Sequence, residues 1–111
     1  MRRIYIAGPM SGHDNLNHAA FFRADALLKE HGWTTVNPAD MDLREGIDPS
    51  KPMEEYDYED AARRDIEALQ KCDAIYLMAG WQHSKGACWE RALAVHFNIR
   101  RYYEIPREDH S

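Results

Sequence analysis

The stretch that decides the fold is residues 74–90, AIYLMAGWQHSKGACWE, in which an apolar run leads through a loop into a helical pattern. Residues 74–78 have the length and composition of a buried strand. Glu90 shares one predicted helix face with apolar residues and falls in the first turn of that helix. A carboxylate there is costly to bury unless it is paired or used, so Glu90 is the first candidate catalytic group. The apolar residues of that face are Ala87, Leu93, Ala94 and Phe97.

A strand and a helix are predicted at the start of the chain. Residues 4–7 are apolar and end at Gly8, which predicts a first strand that runs into a loop. An apolar stripe at helical spacing follows, with Asn15 or Asn17 as the N-cap of the helix. Gly32 stands where a C′ glycine would end that helix.

Three more elements complete the pattern. Residues 33–36 predict a second strand, which Asn37 and Pro38 end. A helix is expected from near Tyr58, and residues 101–105 predict the last strand. The inward residues of that helix are expected to be Ala62, Ile66 and Leu69.

Strands that alternate with helices indicate parallel pairing with right-handed crossovers. The sequence therefore predicts an α/β protein, a small three-layer flavodoxin/Rossmann-like fold with four parallel strands in the order 2-1-3-4. Residues 1–111 are expected to form a single domain.

Residues 40–60 form the most acidic segment, with nine Asp and Glu residues against Arg44 and Lys51. The segment also contains Pro49 and Pro52, so it is interpreted as a long loop. It is either a solvated acidic connection or a lid over a site.

Composition limits the classes of function. A net charge of −5 argues against binding to a nucleic-acid polymer, although a nucleotide needs only a local anion site. Cys72 and Cys88 have no metal-like spacing and are expected to be free thiols in a reducing compartment. Neither a signal peptide nor a run long enough to span a membrane is visible, so a cytoplasmic protein is expected. Motifs for a metal or a cofactor are lacking, and none is expected.

Ligands of open parallel sheets bind beyond the carboxyl ends of the strands, where the strand order reverses. Here that point lies between strands one and three, so the loops that follow them should line the site. The second loop opens a helix, whose free N–H groups suit an anion. Ser84 is the expected N-cap and a second donor to that anion. The loop residues expected to bind substrate are Gly8, Met10, Ser11, Gly12, Ser84 and Gly86.

Three other side chains leave two interpretations each. Trp81 either stacks on a base or lines the rim of the core. Asp65 is either a solvated partner of Arg63 or Arg64 or a second carboxylate of the site. Tyr5 is either a core tyrosine or a residue whose hydroxyl reaches the crevice. An inward carboxylate beside an anion loop, with no metal motif, fits displacement at a glycosidic carbon.

Three segments together resemble one superfamily. They are Tyr5 with Ala7-Gly8, the run RDIEALQKCDA at residues 64–74, and Ser84-x-Gly86-Ala87-x-x-Glu90. In this order they resemble the nucleoside 2-deoxyribosyltransferase-like proteins, over roughly residues 3–105. That superfamily includes base-exchanging transferases and hydrolases of deoxynucleoside 5′-monophosphates. The layout also resembles short relatives often encoded by bacteriophages.

The resemblance implies a role for each matching residue. Glu90 matches the nucleophile that attacks the anomeric carbon, and Tyr5 matches a tyrosine that orients it. Asp65 matches a carboxylate that assists protonation of the departing base or holds the sugar. The transferases tend to have an aspartate six residues before the nucleophile, whereas the hydrolases have a phosphate-binding serine there, as Ser84 is here. The resemblance therefore implies a nucleotide substrate.

Several expectations follow from these interpretations. The helix N-terminus should help to keep Glu90 ionised. The chain ends soon after strand four, without the segment that completes a neighbour's site in many relatives, yet a homodimer or higher homo-oligomer is expected through the helices that flank the site. The leading hypothesis is a nucleotide N-glycosidase. Its rivals are a non-catalytic binder of a nucleotide or nucleotide signal, a base-exchanging transferase, and an interaction protein that acts through residues 40–60.

Overall fold

Four parallel strands form the centre of the protein, and helices cover both of their faces. The computed structural model describes residues 2–51 and 58–105. The strands are β1 (Arg3–Ala7), β2 (Thr34–Val36), β3 (Ala74–Leu77) and β4 (Arg100–Tyr103). The α-helices are α1 (His18–Glu30), α2 (Pro38–Arg44), α3 (Tyr58–Gln70) and α4 (Lys85–His96), and short 3₁₀ turns cover Asp14–Asn17 and Trp81–His83.

The strand order is β2-β1-β3-β4, and every pairing is parallel. This confirms the α/β class and the predicted order 2-1-3-4. The central strand β1 pairs on both sides, with Tyr5 opposite Val36 on β2 and opposite Ile75 on β3. The strand order reverses between β1 and β3, so a crevice forms beyond their carboxyl ends.

Side chains of β1 alternate between two apolar clusters because successive strand residues point to opposite faces. Ile4 and Ile6 pack on the face covered by α1, whereas Tyr5 and Ala7 pack on the face covered by α3 and α4. All four are buried. The side chain of Tyr5 therefore lies in the core on the face of the sheet that is covered by α4, the helix that carries Glu90.

Helix α1 ends as the sequence predicts. Gly32 has a φ of +88° and follows the C-cap His31. Its N–H donates to the carbonyl of Lys29 at 3.0 Å, and the N–H of Trp33 donates to that of Leu28 at 3.1 Å. This is a Schellman motif, and it depends on the left-handed conformation that glycine adopts without a Cβ penalty.

Asn17, one of the two residues predicted, is the N-cap of α1, although it and Asn15 have positive φ values. Its side chain makes no cap hydrogen bond. The amide of Asn17 instead donates to the carbonyl of Pro9 at 2.8 Å. Asn17 therefore holds the loop after β1 against the start of α1.

The acidic segment is a loop at residues 45–51, as predicted, but its first residues are helical. Residues 38–44 form α2, with Asn37 as N-cap accepting from Ala39 N at 2.9 Å and Pro38 at its first turn. Asn-Pro ends a strand, but the same pair also begins a helix because proline is tolerated at N1. Residues 52–57 of the acidic segment lie outside the described residues.

Two terminal predictions were wrong. Phe97 is the C-cap of α4 and is 45% exposed, so it does not belong to the inward apolar face as predicted. Strand β4 begins one residue earlier than predicted and ends at Tyr103, so Ile105 lies beyond it and is exposed. The rest of the predicted α4 face is apolar and turned inward, with Ala87 and Ala94 buried.

Candidate active site

A cavity of about 1240 Å³ opens beyond the carboxyl ends of β1 and β3. The loop after β1 and the loop before α4 form two of its sides, and α3 and α4 form the others. Asp65 on α3 and Glu90 on α4 both line it, so the structure brings the two candidate carboxylates to one site.

The buried Tyr5 of β1 interacts with both carboxyl groups. Its hydroxyl donates a hydrogen bond to Oε2 of Glu90, across 85 positions of the sequence. Tyr5 also interacts with Asp65 by hydrogen bonding. Burial raises the pKa of the Tyr5 phenol well above its usual value, so this group stays a neutral donor.

The carboxyl group of Glu90 is not held in its ionised form. Burial raises the pKa of Glu90 to about 8, while the Tyr5 hydrogen bond lowers it and the charge of Asp65 raises it. Glu90 is the sixth residue of α4 and not in its first turn, as was predicted. The helix N-terminus acts mainly within that first turn, so burial dominates.

Asp65 is partly buried beside an arginine. Its Oδ1 accepts from Arg64 through Nη2 at 2.8 Å and Nε at 2.9 Å. Burial raises the pKa of Asp65 to about 6, against the opposing effect of the Arg64 cation. Asp65 is thus a partner of Arg64 and a residue of the site at once, which were two separate interpretations of the sequence.

The loop before α4 opens that helix with a capping serine. Ser84 is the N-cap, as predicted, and its Oγ accepts from Ala87 N at 3.1 Å. A hydroxyl that accepts one hydrogen bond still has its hydrogen to donate. Gly86 is exposed, with open space where a Cβ would stand, and Lys85 and His83 also line the cavity.

The loop after β1 lines the opposite side. Gly8 is pressed against Met78, whose Cβ would lie 2.9 Å from a Cβ at position 8, so only glycine fits there. Met10 and Ser11 line the cavity, and Ser11 Oγ bonds to the hydroxyl of Tyr58 at 3.2 Å. Gly12, which was also predicted to bind substrate, does not line the cavity; it has a φ of +80° and turns the loop between the lining residues Ser11 and His13.

Comparison with known proteins identifies the family. Residues 2–101 match the model of a family described as a domain of unknown function, DUF4406. The chain belongs to the DUF4406 family. No curated protein sequence matches this DUF4406 chain.

Among solved structures, the DUF4406 chain is similar to a 2-desoxiribosyltransferase from Leishmania mexicana, with a TM-score of 0.65 and 20% sequence identity. The match covers 93% of this chain and 63% of that one, so this chain spans less than two thirds of that protein's length. At this identity the match shows a shared fold. It agrees with the predicted α/β fold.

Trp81 was a candidate for stacking on a base, but in the DUF4406 chain it is Trp89 that lines the cavity. Trp81 packs against the ring of Tyr103 at 5.7 Å and lies under Arg91, at the core rim. Trp89 lines the cavity and is 53% exposed. Its position beside Glu90 is the signal that sequence reasoning missed, and Tyr58 at the start of α3 was missed as well.

Within residues 2–51 and 58–105 of the DUF4406 chain, no group of three or more His, Cys, Asp or Glu side chains could hold a metal ion. None of the helices in this part of the chain is long and apolar enough to cross a membrane.

Proposed function

We propose that the protein cleaves the N-glycosidic bond of a nucleoside or deoxynucleoside 5′-monophosphate and releases the free base. The observation that carries this proposal is the meeting of Tyr5, Asp65 and Glu90 at the cavity. Two carboxyl groups and a neutral donor at one point are the components of a retaining glycosidase step. The sequence motifs and the shared fold support the same reaction class.

The reaction has two displacements. In the first, an ionised oxygen of Glu90 bonds to the anomeric carbon while the bond to the base breaks, and Asp65 gives its proton to the departing base. In the second, water attacks the same carbon, Asp65 takes a proton from it, and the bond to Glu90 breaks. Tyr5 holds Oε2 of Glu90, which leaves Oε1 to attack.

The proton of the free enzyme lies on the wrong carboxyl group for this step. With pKa values of about 8 for Glu90 and about 6 for Asp65, it lies mainly on Glu90. The arrangement with Glu90 ionised and Asp65 protonated is therefore the less populated of the two singly protonated forms. Substrate binding is therefore expected to favour the rarer arrangement.

We expect kcat/KM to follow a bell-shaped pH profile with limbs near pH 6 and 8 and a maximum near 7, because the pair must hold one proton. Tyr5→Phe removes a hydrogen bond that lowers the pKa of Glu90. The alkaline limb should therefore move to higher pH and the maximum should fall. The measurement is kcat/KM against pH for the wild type and for Tyr5→Phe. An alkaline limb at the same pH in both proteins would show that Tyr5 does not lower the pKa of Glu90.

The test of the proposal is a panel of nucleoside and deoxynucleoside 5′-monophosphates, with their parent nucleosides, followed by chromatography. Release of free base from monophosphates supports the proposal. Incorporation of an added second base would indicate a base-exchanging transferase. Absence of any new base or nucleotide with every substrate would contradict the enzyme hypothesis.

Ser84→Asp should separate monophosphates from nucleosides. Aspartate caps a helix as serine does, but its charge repels a phosphate dianion at the same place. We expect kcat/KM for monophosphates to fall by at least about tenfold, with thermal stability nearly unchanged. Ser84→Asn is the matched control, because asparagine has nearly the shape of aspartate but carries no charge. Equal losses in both variants would contradict a phosphate at Ser84.

A second candidate function is a non-catalytic nucleotide-binding protein. The observation that favours it is the pKa of about 8 for Glu90, which makes the side chain a neutral hydrogen-bond donor at pH 7. This candidate predicts stabilisation by a nucleotide of about 2.7 kcal/mol at 100 times Kd, without release of base.

A further inference from the structure

Arg64 is a largely buried cation beside the site, with 15% of its side chain accessible. Besides Asp65, its guanidinium contacts Asp42 Oδ1 at 3.0 Å and Glu45 Oε1 at 3.2 Å. It also reaches the carbonyl of Pro38 at 3.5 Å. Arg64 therefore joins the helix that carries Asp65 to helix α2.

Asp42 is the centre of this contact and is fully buried. Its Oδ1 accepts from Arg64, and its Oδ2 lies 3.1 Å from Nε2 of His18, the first residue of α1. His18 is buried too. A continuous line of polar contacts thus runs from His18 through Asp42 and Arg64 to Asp65, and so reaches the cavity.

Stability alone does not account for this line. Buried ion pairs gain little over well-packed apolar side chains because both partners lose hydration. The planar guanidinium, however, meets two carboxylates from different helices in a fixed geometry, which apolar packing or a lysine does not provide. The result of the arrangement is a fixed orientation for the group at its end, Asp65.

We propose that Arg64 is a positioning residue that fixes Asp65 through Oδ1, with Asp42 and His18 holding Arg64 in place. Only Oδ2 of Asp65 is then left for Tyr5 and for a ligand in the cavity. The proposal rests on the proposed function, in which Asp65 gives and takes a proton at one point in space.

Four charged or titratable groups face Asp65 from the elements packed around it. Arg64 comes from α3, Asp42 from α2, Tyr5 from β1 and Glu90 from α4. Arg64 is the only cation of the four, so a change at Arg64 must alter both the orientation of Asp65 and the pH at which it ionises.

The test compares Arg64→Lys with Arg63→Lys. Lysine keeps the charge but cannot contact both carboxylates as a planar fork does. Arg63 is the matched control, because it is the adjacent residue, is exposed, and pairs with Glu59 at 3.2 Å. We expect Arg64→Lys to lower kcat on the order of 100-fold with KM within about threefold, since a misplaced catalytic group slows the step more than it weakens binding.

A second readout does not require activity. The carboxyl ¹³C signal of Asp65, assigned with Asp65→Asn, should titrate at higher pH in Arg64→Lys and at the wild-type pH in Arg63→Lys. If the wild type releases no base while this midpoint moves as expected, the proposed function fails and the positioning of Asp65 stands.

His18→Gln perturbs the same line from its far end and covers the case in which Arg64→Lys does not fold. It should move the Asp65 midpoint in the same direction by a smaller amount. An Asp65 midpoint and a kcat that stay at their wild-type values in the folded variants would overturn the proposal.

Discussion

Glu90→Gln is expected to lower the rate of base release by at least about 1000-fold, as loss of a covalent nucleophile does. An amide does not form the ester with the anomeric carbon, but it has the shape of the acid and still accepts the Tyr5 hydrogen bond. The measurement is the initial rate of base release under saturating monophosphate. Circular dichroism checks that the fold is kept.

Glu67→Gln is the matched control, because Glu67 lies on α3 with its side chain exposed. It should retain wild-type activity. Equal activity of Glu90→Gln and the wild type would refute the assignment of Glu90 as nucleophile, whereas equal losses in both variants would point to a general effect of the substitution.

Glu90→Gln is also expected to change how the stability of the protein depends on pH. The pKa of Glu90 is raised from 4.5 to about 8 on folding, so the folded state keeps a proton that the unfolded state has lost. Stability is therefore fully present below pH 4.5 and is lost as the pH rises toward 8. Glu90→Gln has no ionisable group at this position and so lacks this loss. The difference between its Tm and that of the wild type should therefore increase between pH 5 and 8 and stay constant above pH 8.

Asp42→Ala is expected to destabilise the protein by about 3–5 kcal/mol, because Arg64 and His18 would remain buried without the carboxylate between them. In a chain of this size, that corresponds to a fall in Tm of roughly 10–20 °C. Calorimetry at pH 7 measures the change.

Asp40→Ala is the control for this prediction. Asp40 is two residues away on the same helix, and it makes an exposed i,i+4 pair with Arg44 at 2.9 Å. Such pairs contribute about 0.3–0.5 kcal/mol, so Tm should change by no more than a few degrees. Similar losses in both variants would contradict the importance of the buried contact.

The sheet order could be predicted because the two central strands, β1 and β3, are short buried apolar runs and each connection is long enough for a crossover. The ends of helices could be predicted where one residue type suits one position, as at Gly32 and Ser84. Asn15 and Asn17 show the limit of this reasoning, since the same residue type also adopts left-handed conformations in loops.

Helix α2 was missed because its seven residues are too few for a helical period to stand out among acidic neighbours. The burial of Asp42 was missed for a related reason. Its partners, His18 and Arg64, lie 24 and 22 positions away and are brought to it only by the packing of three helices.

For the candidate site, the sequence predicted the crevice but not its electrostatics. The motif resemblance placed Tyr5 and Glu90 together, although they are 85 positions apart. The pKa of Glu90 could not be predicted from sequence, because it depends on how deeply the carboxyl group is buried. Of the two interpretations of Trp81, the structure shows the one at the core rim, whereas no role was predicted for Trp89, which lines the cavity.

The tight contact between Gly8 and Met78 limits how this site can change during evolution. A larger residue at position 8 would push β1 and β3 apart. We therefore expect glycine to be retained at this position, which lies at the floor of the cavity. The walls can vary, because Ala62 and Ala92 line them with small side chains on the two flanking helices. Relatives that accept bases of different size should therefore differ at these wall positions and keep glycine at the floor.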